Sequence, residues 1–239
     1  MSEQLASYYG EITMRVIICI LLLIMLKYFG IIKMAYFTVP ARWRQIWLIW
    51  PVIVLILVNA LDILTGKVTI DTSNKALLFT FVINCVSTGF FEEILVRGGI
   101  LNLLLCKLGN TKKGIYLSVI YSSMVWGLAH LINLVKNPEL LLTTSTQIFY
   151  AACFGVIFAA LLLRTHSIWW MIFLHALFNF CGSIKEIAIN GGIAASEIAK
   201  ASTTLTNVVA VIVITLPLLI YGLIILRKVT PKNVFEPLD

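Results

Sequence analysis

Charged residues are scarce in this chain: 12% of its 239 residues are Asp, Glu, Lys or Arg, whereas 60% are hydrophobic. The mean hydropathy is +0.99. Because a soluble domain cannot bury so much apolar surface, this composition predicts a polytopic membrane protein. The sequence also lacks the ~10-residue alternating segments of a membrane β-barrel. We therefore predict an all-α fold, a polytopic bundle of transmembrane helices.

Three further absences narrow the function. No CxxC spacing occurs, so the five cysteines are expected to be buried hydrophobes rather than disulfides or metal ligands: Cys19, Cys85, Cys106, Cys153 and Cys181. No HExxH pair is present, which removes the usual helical zinc-protease signature. No basic stripe interleaved with aromatic residues accompanies the net charge of +7. We therefore assign that charge to topology and anionic lipid, and we expect no nucleic-acid partner.

About seven apolar segments, in a range of six to eight, come close to the ~20 residues that a bilayer span needs. They are residues 12–36, 46–64, 76–108, 115–135, 146–163, 168–184 and 205–226. As one helix the third would be roughly 46 Å long, more than a ~30 Å hydrocarbon core. It must tilt, protrude or break, and Gly98-Gly99 is the predicted place for a break. Asp71 or Ser73 is predicted to cap its start.

The distribution of basic residues predicts the topology. We divide the chain into N-terminal transmembrane helices (1–75), a transmembrane core (76–184), and a loop or short interfacial helix with the last span and a basic tail (185–239). Ten Lys and Arg residues fall on one side of the predicted spans: Lys33, Arg42, Arg44, Lys107, Lys112, Lys113, Arg164, Arg227, Lys228 and Lys232. Five fall on the other: Lys67, Lys75, Lys136, Lys185 and Lys200. The positive-inside rule then places the N-terminus outside and the C-terminus inside, although one miscounted span before residue 64 would reverse the first part. We expect an integral multi-pass protein of a bacterial cell membrane.

Polar side chains inside the membrane concentrate on three spans, where they are costly and usually mark a function. They are Glu92, Glu93 and Arg97 on the third span, His130 with Trp126 one turn before it on the fourth, and His175 with Asn179 on the sixth. Helical spacing lets Glu93 pair with Arg97, whereas Glu92 points about 100° away. A carboxylate beside a histidine can hold and deprotonate a water, and a second histidine with an amide can stabilise an oxyanion.

Each of these residues also has a structural interpretation. Glu93–Arg97 can be an ion pair that only stabilises the fold, and polar side chains such as His130, His175 and Asn179 can simply connect helices. His166, in the short turn between the fifth and sixth spans, is expected to be solvated. The occurrence of three polar clusters on separate helices favours a hydrolytic site.

Three motifs in order resemble a known family. Glu92-Glu93-Ile-Leu-Val-Arg97 fits EExxxR, Trp126-Gly-Leu-Ala-His130 is close to FxxxH, and His175-Ala-Leu-Phe-Asn179 fits HxxxN. Between residues 82 and 181 the chain resembles the CPBP family (CAAX proteases and bacteriocin-processing enzymes, also called Abi). These are intramembrane endopeptidases related to the type II CAAX prenyl endopeptidase. Trp126 replaces the usual Phe, which we expect to alter the shape of the pocket more than its chemistry.

The resemblance implies an assignment of roles. Glu92 is implied as the general base for a water held jointly with His130. His175 and Asn179 are implied to stabilise the oxyanion, and Glu93 and Arg97 to orient the site. The implied reaction is hydrolysis of a peptide bond in a membrane-associated peptide or protein: a leader or signalling peptide, a bacteriocin or a CAAX-type substrate. No cofactor is expected.

Two alternatives stay open. One is a zinc-dependent protease at the same site, with Glu92, His130 and His175 as ligands, a set that zinc accepts. The other is a non-catalytic membrane immunity or scaffold protein of the same fold. A small transporter ranks last, because it predicts paired broken helices in two similar halves, and we identify one candidate break.

Overall fold

A computed structural model of the chain describes residues 3–39, 41–189 and 204–235. The main helices are α1 (Glu3–Tyr28), α2 (Trp50–Asn59, continuing a 3-10 segment Trp43–Ile49), α3 (Lys75–Leu108), α4 (Lys112–Ala129), α5 (Leu141–Thr165), α6 (Ile168–Ser183) and α7 (Leu205–Leu226). Short helical turns lie at Ile32–Ala35, Leu61–Leu64, His130–Ile132, Asn133–Lys136, Pro138–Leu140, Ile184–Ile187 and Pro231–Phe235.

The helices confirm the predicted membrane architecture. Six of those in the described residues, α1 and α3 to α7, are long and apolar enough to cross a membrane, and Trp43–Asn59 is a shorter apolar helix. The protein is therefore an integral multi-pass membrane protein with an all-α fold. Most of the predicted connection at 185–204 lies outside the described residues.

Close contacts fix the direction of each helix. Tyr8 packs on Phe81 and Leu26 approaches Gly98, so α1 runs parallel to α3. Antiparallel pairs are α3 with α6, α4 with α5, and α5 with α6; α7 is parallel to α5. Helices α1, α3, α5 and α7 therefore begin at one end of the bundle, which we call the first end, and α4 and α6 begin at the second end.

The two ends hold different connections. The first end carries the start of α1 and residues 60–74, 130–140 and 184–189. The second end carries residues 29–45, 109–111, 166–167 and 227–235. Contacts within each end agree with this division. At the second end the Arg42 amide donates to the Thr165 carbonyl over 2.7 Å. At the first end Lys185 lies 2.9 Å from Asp62.

The long third span does not break at its glycine pair. Helix α3 widens instead into a π-helical segment, Ile94–Leu101, and returns to α-helix at Asn102–Leu108. Gly98 allows α1 to approach, because a Cβ there would lie 3.3 Å from a Leu26 methyl group. Such π segments often occur at functional sites, and this one contains Arg97. The cap of α3 is Asn74, which accepts from the Leu77 amide, so the prediction of Asp71 or Ser73 was wrong.

The prediction of a solvated His166 was also wrong. The side chain is fully buried, and its ring stacks on Tyr36 with centroids 4.3 Å apart. Both residues adopt left-handed backbone angles, with φ of 52° and 55°. Burial lowers the pKa of His166 to about 4, and the nearby positive charge of Arg42 adds to this effect. The short turn at the second end is therefore built around a neutral imidazole.

This histidine predicts a loss of stability in acid. Because its pKa is lower in the folded chain than the ordinary value of 6.5, the unfolded state takes up a proton first as the pH falls. Its contribution to stability should be fully present above pH 6.5 and decrease from there towards pH 4. Thermal unfolding in detergent between pH 7.5 and 4.5 should show a steeper fall of Tm in wild type than in His166→Asn, which suits left-handed angles. Equal slopes would contradict this prediction.

Candidate active site

The adjacent carboxylates Glu92 and Glu93 lie in different surroundings. Glu93 is fully buried, accepts from His175 Nδ1 over 2.8 Å through Oε1, and places Oε2 3.2 Å from Arg97 Nε. Glu92 leaves 24% of its side chain exposed and lines a cavity. The roughly 100° rotation between consecutive helical residues produces this divergence. Glu93 therefore contacts His175 and Arg97 in the interior, while Glu92 faces the cavity.

The buried Arg97 connects the ion pair to two aromatic rings. Its side chain is 1% exposed, and its guanidinium carbon lies 4.4 Å from the Trp126 ring centroid and 5.4 Å from that of Phe158. Neither terminal nitrogen finds a hydrogen-bond acceptor within the described part of the chain. The neutralising charge of Glu93 and the faces of the two rings therefore surround this cation.

Trp126 contributes more than the shape of the pocket. Its Nε1–H donates to Glu92 Oε2 over 2.9 Å. Its ring also meets the rings of His130 and His175 edge-on, at centroid distances of 5.9 and 5.6 Å. A Phe at this position has no N–H to donate. The replacement of Phe therefore adds a contact that the sequence did not predict: this tryptophan holds one oxygen of Glu92.

The two histidines approach Glu92 from different helices. His175 Nε2 lies 3.6 Å from Glu92 Oε2, and the contact of Nδ1 with Glu93 assigns the proton to Nδ1. His130 places Nδ1 3.1 and 3.2 Å from the carbonyls of Trp126 and Gly127, so Nδ1 is the donor and Nε2 is available to accept. Both imidazoles are thus held by their Nδ1 atoms.

All four predicted catalytic residues line one cavity of about 270 Å³: Glu92, His130, His175 and Asn179. Trp126 lines it as well, whereas Glu93 and Arg97 lie behind the wall. The structure therefore brings together the polar groups of three separate spans. A cavity with a carboxylate, two imidazoles and an amide can accommodate a peptide carbonyl and a water.

Sequence reasoning missed several residues of this cavity. Thr88 and Asn84 line it one and two turns before Glu92, and their i, i+4, i+8 spacing could have revealed them. Arg15, in the middle of α1, lines it too, and donates to Asn84 Oδ1 and Glu11 Oε2. An arginine inside a span is by default a candidate functional residue, so this signal was present and was overlooked.

The geometry does not fit the proposed zinc ligands. Within residues 3–39, 41–189 and 204–235, no group of three or more His, Cys, Asp or Glu side chains is arranged to hold a metal ion. We therefore derive no chemical step through a metal.

The fold and the site define a class of protein. A multi-pass helical bundle that encloses a glutamate and two histidines within its spans has the arrangement of an intramembrane protease. Residues 74–181 match the family model described as Rce1-like, type II CAAX prenyl endopeptidase Rce1-like. The match covers the part of the chain that contains the cavity, and it supports an assignment to the CAAX protease (CPBP) family of intramembrane endopeptidases. No curated protein and no solved structure matches it.

The indole N–H of Trp126 can be tested alone. In Trp126→Phe the aromatic ring remains, but the hydrogen bond to Glu92 is lost. A hydrogen bond to a charged group contributes about 1.5–3 kcal/mol, so we expect kcat to fall by roughly ten-fold or more with KM little changed. Peptide cleavage kinetics measure this effect. Trp169→Phe is the matched control, because it loses a hydrogen bond to the Phe37 carbonyl outside the cavity. An equal change in both variants would contradict a role for Trp126 in positioning Glu92.

Gly89 sets the spacing between α3 and α6. A Cβ at this position would lie 3.0 Å from the Ala176 amide nitrogen and 3.0 Å from the Ile172 carbonyl oxygen. Gly89→Ala should therefore separate the two helices, destabilise the fold by about 1–3 kcal/mol and lengthen the Glu93–His175 contact. Tm and cleavage rate should both fall. Gly10→Ala is the control, since a Cβ added there would meet no other helix or loop within 4 Å. A Gly89→Ala protein as stable and active as that control would disprove the argument.

Proposed function

We propose that the protein hydrolyses a peptide bond in a membrane-associated peptide or protein, using a water activated by Glu92. The observation that carries this proposal is the position of Glu92, an accessible carboxylate in the cavity that also contains His130, His175 and Asn179. We propose a leader or signalling peptide, a bacteriocin or a CAAX-type sequence as the substrate, and a bacterial cell membrane as the location.

In this mechanism the water lies between Glu92 and His130 and attacks the scissile carbonyl carbon. Trp126 holds Oε2 of Glu92, so Oε1 accepts the proton that the water loses. The carbonyl oxygen becomes an oxyanion, which the Asn179 amide and His175 Nε2, when protonated, stabilise by donating hydrogen bonds. Glu92 then gives the proton to the leaving nitrogen as the C–N bond breaks. One water is consumed, an acid and an amine are released, and Glu92 returns to its carboxylate form.

Glu93 and Arg97 support this cycle without contacting the substrate. Glu93 fixes the orientation of His175 through its 2.8 Å hydrogen bond. Arg97 neutralises Glu93 and packs on Trp126. Both residues lie in α3, the helix that carries Glu92. Their contacts with Trp126 in α4 and His175 in α6 therefore hold α3 in position against these two helices.

Cleavage in detergent tests the proposal. Purified wild type and His130→Ala are compared on leader, bacteriocin-precursor and CAAX peptides, with and without 1,10-phenanthroline. We expect cleavage by wild type, a loss of roughly 10²-fold or more in His130→Ala, and no effect of the chelator. Inhibition by the chelator that zinc reverses would instead identify a metalloprotease. Absence of cleavage together with full cellular function of Glu92→Gln would favour the scaffold alternative.

A further inference from the structure

The cavity extends from the middle of the bundle towards its first end. In α3, α5 and α6 the lining residues farthest from the first end are Glu92, Phe158 and His175. From there the lining continues along α3, α5 and α6 towards the first end: Phe81, Asn84, Cys85, Thr88, Gln147, Phe178, Asn179, Ser183 and Glu186. No described residue of the lining lies beyond Glu92 in α3 or before His175 in α6.

The other half of the bundle is closed by packed side chains. Leu101, Leu105, Ile115, Leu162 and Ile168 are fully buried there. From Glu92 to the end of α3 at Leu108 the helix rises by roughly 24 Å. A substrate arriving from the second end would have to pass through this packed core.

Charge distinguishes the same two ends. The ten Lys and Arg residues that the sequence analysis assigned to the cytoplasmic side all lie at the second end. Arg42, Lys112 and Arg227 are among them. Of the five basic residues assigned to the opposite side, four lie near the first end. The acidic residues Asp62, Asp71, Glu139 and Glu186 also lie there. Lys200 falls outside the described residues. An excess of Lys and Arg in short connections marks the cytoplasmic side of a membrane protein.

We propose that the catalytic cavity opens on the extracytoplasmic face, and that the substrate is a peptide segment delivered on that face. This inference rests on the proposed function and selects among its substrates. It favours an exported leader, signalling peptide or bacteriocin over the C-terminus of a cytoplasmic protein. Three observations carry this inference. The cavity lining extends only towards the first end, packed side chains close the half of the bundle near the second end, and the basic residues concentrate at the second end.

Labelling with a membrane-impermeant maleimide in right-side-out vesicles tests the orientation. Single cysteines are introduced as Lys67→Cys at the first end, Lys113→Cys at the second end, and Ser183→Cys in the cavity. The parent carries Cys106→Ala, because Cys106 is exposed, and Cys85→Ala, because Cys85 lines the same cavity as Ser183. We expect labelling of Lys67→Cys and Ser183→Cys from outside, and labelling of Lys113→Cys only after permeabilisation. Labelling of Lys113→Cys from outside, or a Ser183→Cys that reacts only from inside, overturns the inference.

An activity measurement separates this inference from the proposed function. A charged, membrane-impermeant quenched peptide from the substrates cleaved in detergent is added to right-side-out and to inverted vesicles. Cleavage in right-side-out vesicles alone supports the inference, and cleavage in inverted vesicles alone overturns it. If detergent-solubilised protein cleaves none of the peptides, the proposed function fails. The labelling of Ser183→Cys would still decide which face the cavity opens on.

Discussion

Glu92→Gln is expected to lower kcat/KM by roughly 10²–10⁴-fold, the usual contribution of a general base, while the protein stays folded. The amide retains the shape of the side chain, and its oxygen can still accept from Trp126 Nε1–H. It cannot take a proton from water. Because Glu92 is partly exposed and is not the partner of Arg97, its charge contributes little to the packing of α3.

The control for this variant is Asp71→Asn, which removes a carboxylate from the exposed loop before α3. Cleavage rates are measured in detergent at matched Tm and matched gel-filtration profiles. The control should cleave at the wild-type rate. Cleavage by Glu92→Gln within three-fold of wild type would remove Glu92 from the mechanism. Another base would then be required, and His175, held by Glu93, would be the first to test.

Arg97→Met is expected to destabilise the fold by about 3–5 kcal/mol, the cost of breaking a buried ion pair. The substitution leaves Glu93, which has no exposed surface, as a charge without its cation. It also removes the guanidinium from the faces of Trp126 and Phe158. We expect poor yield and a strongly lowered Tm, measured by thermal unfolding in detergent.

Lys113→Met is the control for stability. It removes a positive charge from an exposed position at the second end, where a substitution usually changes stability by no more than about 0.5 kcal/mol. The double variant Glu93→Gln/Arg97→Met removes both buried charges and should recover much of the lost Tm without recovering activity, because His175 loses its carboxylate partner. A double variant that is no more stable than Arg97→Met would contradict the ion-pair explanation.

Local spacing was enough to predict much of the site. The i, i+4 relation of Glu93 to Arg97 and of His175 to Asn179 depends only on helical geometry. The divergence of Glu92 from Glu93 follows in the same way. The scarcity of charge predicted the membrane bundle, because a chain with so much apolar surface is stable only when lipid covers that surface.

Two features that the sequence did not predict depend on contacts between residues that are distant in sequence. His166 was assigned to solvent because turns are usually exposed, but Tyr36, 130 residues earlier, covers it. The substitution of Phe by Trp126 looked conservative, since nothing local showed that its N–H reaches Glu92 on another helix. The glycine pair in α3 suggested a break, whereas the chain keeps its hydrogen bonds by widening into a π-helix.

The sequence by itself determined the class of membrane protein, the approximate spans and the side chains capable of hydrolytic chemistry. These features could be predicted because hydropathy and helical spacing depend only on residues that are close together in the sequence. Only the tertiary structure decided that Glu92 faces the cavity while Glu93 binds His175, and that Arg15 reaches the same cavity from α1. It also decided which end of the bundle the cavity extends towards. These features depend on how closely helices far apart in sequence approach, as at Gly89 against Ala176, and that distance is set by packing across the whole bundle.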